Sequence, residues 1–163
     1  MQPLVRAVLL AALACAAPVH RTEGPHMLFV HDEQVELSDK PVSIALPLRD
    51  ASAALRAVAD DPDRALMLRI ERISIDRQPG VTYRVDVGGL SVGILAFYGA
   101  EESNGTFMAA FTADEAVARA LERDAKNLTL TFTPQGSFDE HGKPNPVHLE
   151  GHARFTRVTF VSE

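Results

Sequence analysis

The chain has 163 residues, 46% of them hydrophobic, and a formal net charge of −6. That length suits one domain behind a leader, and the apolar share is enough for a single core. The acidic balance excludes a nucleic-acid binder, because gripping a phosphate backbone takes a dense Lys/Arg face.

The first residues read as an export signal. Arg6 supplies a weak positive region, Val8 to Ala14 ("VLLAALA") an apolar stretch, and Ala14, Cys15, Ala16 and Ala17 the small residues of a cleavage site. The stretch is shorter than the roughly 20 apolar residues that span a bilayer, so a cleaved signal peptide over 1–17 is expected, and with it an exported, periplasmic or secreted protein. Cys15 is the only cysteine, which excludes an intramolecular disulfide and a thiolate cluster. It sits where a lipoprotein cysteine would sit, although Leu13 stands one position too late for that signal. Membrane attachment is expected only if Cys15 is lipidated. Residues 18–32, with Pro18, Gly24, Pro25 and three His, read as a linker, and 33–163 as the folded domain.

From Gln34 the pattern becomes sheet-like. "VELS" and "VSIALPL" are short extended runs, the second with Val42, Ile44, Leu46 and Leu48 at period two. Pro47 lacks an N–H donor, which places that strand at an edge or ends it there. The Ala-rich run from Asp50 to Asp61 fits one or two helical turns, or a loop. In the next run the apolar phase switches between Ile70 and Ile73, which predicts a bulge or bend. Gln78-Pro79-Gly80 makes a turn, and Val81, Tyr83, Val85 and Val87 alternate in the clearest strand of the chain. Gly88-Gly89 turns again into "LSVGILAFYG", and "FMAAF" adds another strand.

Thr112 and Glu115 match a capping box, with Ala116, Val117, Ala120 and Leu121 on one face of a helix over 113–124. "NLTLTFTP", "VHLEG" and "ARFTRVTFVSE" complete the strands, with "QGSFDEHGKPNP" as a long loop. This pattern predicts a mainly β fold: an antiparallel sandwich or barrel, jelly-roll-like, with one short helix.

The ordered set "LMLRIERISIDRQPGVTYRVDV", "VGILAFYG", "TADEAVARAL", "LTLTFTPQG" and "HLEGHARFTRVTFVSE" resembles the C-terminal domain of tyrosinases and polyphenol oxidases. Tyr83-Arg84-Val85-Asp86-Val87 stands where the plant family carries Lys-Phe-Asp-Val, and "KPVSIALPL" is similar to the segment that precedes the domain in bacterial relatives. The resemblance covers roughly residues 33–162. It implies a sandwich that packs over a dicopper cleft and places one residue in the substrate pocket. The helical six-His catalytic part of that family has no counterpart here, since His20, His26 and His31 fall in the leader or linker. What the resemblance implies is a non-catalytic accessory domain that covers, inhibits or helps mature a tyrosinase-like copper protein, with no cofactor of its own.

The residues themselves nominate few sites. Phe138, an aromatic in a polar loop, is the first candidate for contact with such a partner, and Phe107 the second. His141, His148 and His152 are the candidate copper or zinc ligands. On one straight strand His148 and His152 would lie about 13 Å apart, so a shared ion needs a turn at Gly151. Asp60, Asp61 and Asp63 lack the Gly and the closing Glu of a calcium loop, and Ser137 lacks a nucleophile elbow. No catalytic residue is assigned. Two other readings stay open: an exported metal-binding module, and a generic extracytoplasmic sandwich that binds a polymer or another protein.

Overall fold

The computed structural model describes residues 25–100, 107–124, 126–136, 141, 143 and 145–163. The strands are β1 His26–His31, β2 Val35–Leu37, β3 Val42–Pro47, β4 Leu66–Ile75, β5 Thr82–Val87, β6 Leu90–Leu95, β7 Phe107–Thr112, β8 Asn127–Gln135, β9 Ala153–Phe155 and β10 Arg157–Ser162. The helices are α1 Ala51–Ala59 and α2 Asp114–Arg123.

All strand pairs are antiparallel. One sheet runs β1-β10-β4-β9-β2, with β7 on the other side of β4; the second runs β3-β8-β5-β6. In the first sheet β2 continues β1 beyond residues 32–34, and β10 continues β9 beyond Thr156. With those breaks bridged, the ten strands become eight runs, ordered 1-8-3-6 in one sheet and 2-7-4-5 in the other. This is the strand order of a jelly roll, two interlocked Greek keys.

The expected mainly β sandwich is therefore present, with two refinements. β4 bends where its apolar phase switches: the register shifts between Ile70 and Ile73, and Arg72 takes φ +56°. A non-glycine residue in the left-handed region is uncommon and fits a bulge. β3 is an edge strand that ends on Pro47, where the missing donor costs no ladder bond.

The core lies between the sheets. Leu68, Ile70, Phe155, Val158 and Phe160 face inward from the first sheet, and Leu46, Tyr83, Val85, Leu130 and Phe132 from the second; all are buried. Phe132 and Phe155 meet across the gap with ring centroids 5.1 Å apart. Full burial of one such side chain stabilises by about 1.5–3 kcal/mol.

Four expectations are corrected. His26–His31 is not linker but β1, paired with β10 from His26↔Ser162 to His31↔Val158. Its sequence hides the strand because the register shifts between Met27 and Phe29, which breaks the period-two signal. The expected single helix is joined by α1, which buries Leu55 and Val58 and whose Arg56 Nη2 donates to the Leu121 carbonyl of α2 at 2.6 Å. Thr112 does not cap α2. It closes β7, the N-cap is Ala113 without a side-chain bond, and Asp114 Oδ1 instead accepts the Leu66 N–H at 2.8 Å. "VHLEG" is not a strand; the Glu150 N–H donates to the Pro79 carbonyl at 3.0 Å.

Candidate functional site

The strand directions sort the connections to two ends. β3 runs into α1 and β7 into α2, and Gly88-Gly89 turns beside α2; all of these lie at one end, where α1 packs on α2. The described segments 38–41, 76–81, 96–100 and 145–152, with Gly136, all fall at the opposite end. Sandwiches present loops at their ends, and loops held by a rigid scaffold are where binding concentrates.

The described parts of this rim are bonded to one another. The Tyr83 hydroxyl donates to the Ser38 carbonyl at 3.0 Å, and burial pushes the Tyr83 phenol up to about 12. The Gln78 carboxamide donates to the Phe97 carbonyl at 3.0 Å, and Phe97 meets Tyr83 edge-on at 5.9 Å. The His152 N–H donates to Asp76 Oδ1 at 2.6 Å, and this bond first of all lowers the Asp76 pKa below the usual carboxylate value. Gly151 lies against the Arg77 carbonyl, where a side chain would overlap it. These ties make 76–81 and 147–152 one unit and seat 96–100 on it.

Three clefts open on the rim. One of about 290 Å³ is lined by Glu36, Ser74, Asp76, His152 and Arg154. A neighbour of about 520 Å³ shares Glu36 and His152 and adds Asp39 and His148. The third, about 420 Å³, lies between Thr82, Phe97, Tyr98 and Gln135. Tyr98 is 84% exposed, the most open large hydrophobic side chain of the described residues.

The nominated residues fare differently. Phe138 lies outside the described residues, as do residues 1–17 and Cys15. Phe107 is the first residue of β7, opposite Ile73, half-buried and packed on the core, so it is a sheet residue rather than a loop-tip contact. His148 and His152 do share a cleft, with His152 Nδ1 3.7 Å from Glu36 Oε1. The turn at Gly151 does not complete a metal centre with His141: among the described residues, no three His, Cys, Asp or Glu side chains gather to hold an ion. Asp61 accepts the Asp63 N–H at 3.0 Å and pairs with Arg64, an ordinary turn.

Asp86 lies on the outward face of β5, yet it is 7% exposed, and Arg84 Nε donates to both of its carboxylate oxygens at 3.1 Å. The sequence marks Tyr83 and Tyr98 as core or rim aromatics without nominating either for contact, and the structure puts Tyr83 in the core and Tyr98 on the rim. The signal for Tyr98 was available: it directly follows inward-facing Phe97 and precedes Gly99, so an outward turn position was readable.

No family model matches the chain, and no curated protein matches it. Among the described residues no helix is long and apolar enough to cross a membrane.

Proposed function

We propose that this chain is a non-catalytic accessory module, exported through residues 1–17, that covers a tyrosinase-like copper enzyme with its loop rim. Two things support the reading. The order of segments resembles the tyrosinase C-terminal domain, and the rim presents an anchor of the type that dominates interfaces. The observation that carries it is Tyr98: an aromatic side chain 84% exposed, on a turn held down by the Gln78–Phe97 bond, at the end of the sandwich where the long connections meet. Exposure of a large ring on so fixed a base favours contact with another molecule, because little ordering entropy is left to lose on binding.

The test is to mix the purified chain with a tyrosinase-like copper enzyme and follow both complex formation and diphenol oxidation. The expected result is a complex with altered oxidation rate, weakened about tenfold or more by Tyr98→Ala. Phe138→Ala runs beside it, since the sequence nominates that residue for the same role. A wild-type chain that neither binds such an enzyme nor changes its rate, even in large excess, overturns the proposal.

A further inference from the structure

The cleft beside Tyr98 differs from the other described clefts in its chemistry. Nearly a quarter of the chain is charged, 23%, and the other clefts each hold carboxylates, some with guanidinium or imidazole groups as well. Among the described residues, the lining of the Tyr98 cleft, about 420 Å³, holds no Asp, Glu, Lys, Arg or His, and the Glu150 carboxylate stands against Gly80 at its edge. Its polar groups are hydroxyls, carboxamides and backbone.

Three of those groups stand together by construction. Thr82 and Gln135 are direct cross-strand partners on the outward face of β5 and β8, at the end where both strands meet the rim. Directly opposed residues hold their Cβ atoms about 5 Å apart. Tyr98 closes the third side. The Thr82 hydroxyl, the Tyr98 hydroxyl and the Gln135 carboxamide make no hydrogen bond to other described residues, although Gln135 and Thr82 are half-buried. Gly99 leaves its backbone uncovered: at φ +80°, it has nothing within 4 Å of the place a Cβ would occupy. Phe97, 3% exposed and braced by Tyr83, makes the rear wall rigid.

We propose that this cleft is a binding site for a neutral saccharide ring. A pyranose has one flat C–H face, which stacks on an aromatic ring, and vicinal hydroxyls that both donate and accept. A carboxamide offers an acceptor oxygen and two N–H donors at the spacing of adjacent hydroxyls, and a threonine hydroxyl can answer in either sense. The volume lies within the range of small-ligand sites and admits one or two rings. No Lys, Arg or His among the described lining residues stands ready to neutralise an anionic sugar, and the Glu150 carboxylate at the edge and the net charge of −6 both repel one. The inference does not rest on the copper-enzyme reading, since it uses the isolated chain alone.

The experiment is a ¹⁵N–¹H titration of the full chain with glucose, galactose, mannose and N-acetylglucosamine oligomers. Glucuronate and a glutamine-containing tripeptide serve as comparisons. The expected result is amide shifts confined to Thr82, Tyr98, Gly99, Gln135 and Gly136 with at least one neutral sugar, and a Kd on the order of 1 mM. Tyr98→Ala and Gln135→Ala should each weaken that Kd about fivefold or more, while Ser43→Ala, on the same sheet face but opposite Thr131 and outside the cleft, leaves it unchanged. The spectra themselves show whether each variant is folded, and Thr82→Val supplies a third variant that keeps the shape of the strand. Absence of shifts with every neutral sugar overturns the proposal. So does equal binding of glucuronate or of the tripeptide, or full affinity in folded Tyr98→Ala and Gln135→Ala. A copper enzyme plays no part in this titration, so its outcome is separate from that of the covering function.

Discussion

Tyr83 illustrates how much one position carries. Its ring is in the core and its hydroxyl reaches the rim, where it donates to the Ser38 carbonyl. Tyr83→Phe should cost about 1 kcal/mol in urea unfolding, the net worth of one such bond. Burial raises the phenol from 10.0 to about 12, so the folded state keeps a proton that the unfolded state gives up earlier. The stability it contributes is whole below pH 10 and is lost as pH rises through 12; Tyr83→Phe should flatten this alkaline slope. Asp76 has the opposite sign. Its folded pKa lies below 3.8, so its contribution is present above that pH and is lost as pH falls through the folded value. Asp76→Asn should therefore reduce the acid sensitivity of unfolding. At this scale the sequence showed Tyr83 and Val85 as core, because alternation encodes a side chain's face. It left Asp86 to pair with Arg84 or with a neighbouring strand, and the structure selects Arg84, a choice that depends on the rotamers of two outward side chains.

Elements whose apolar pattern keeps one period were the legible ones. β5 and β8 alternate without a break, and α2 buries the four residues its helical spacing marks, Ala116, Val117, Ala120 and Leu121. Even the bend in β4 was readable, since a phase slip leaves a trace in the pattern. β1 was not, because its own irregularity falls in the middle of only six residues, and α1 was ambiguous because its Ala-rich run carries little contrast between faces. The close approaches between elements are beyond any single-segment pattern. A Cβ on Gly88, which sits at φ +57°, would overlap the Ala120 side chain of α2, and one on Gly93 would come within 2.6 Å of the Phe111 ring of β7. Gly88→Ala should destabilise by about 1–3 kcal/mol in thermal or urea unfolding, through both backbone strain and overpacking. Gly151→Ala should cost a similar amount, and should in addition shift the amides of 76–81, because the two loop segments can no longer close on each other.

For the whole molecule, the sandwich class was accessible from turns recurring about every ten residues. The jelly-roll type was expected with it, but which run pairs with which was not legible, since pairing of runs far apart in the chain is a tertiary fact. The boundary at residue 33 fails for the same reason: β1 has its partner at the far terminus. A chain shortened to begin at Glu33 loses the β1–β10 ladder and the packing of Phe29 on Phe160, whose ring centroids are 6.3 Å apart. It should unfold about 1–3 kcal/mol more easily than the longer chain, the scale of losing a half-buried aromatic, as read by urea titration of the two forms.

The pairing of His26 with Ser162 has a further consequence for orientation. The polypeptide enters and leaves the body at neighbouring points, both beside the helices and on the far side from Tyr98. A surface attachment made beside Ser162 would therefore hold the molecule like a lamp on a stalk, with the Tyr98 side turned outward.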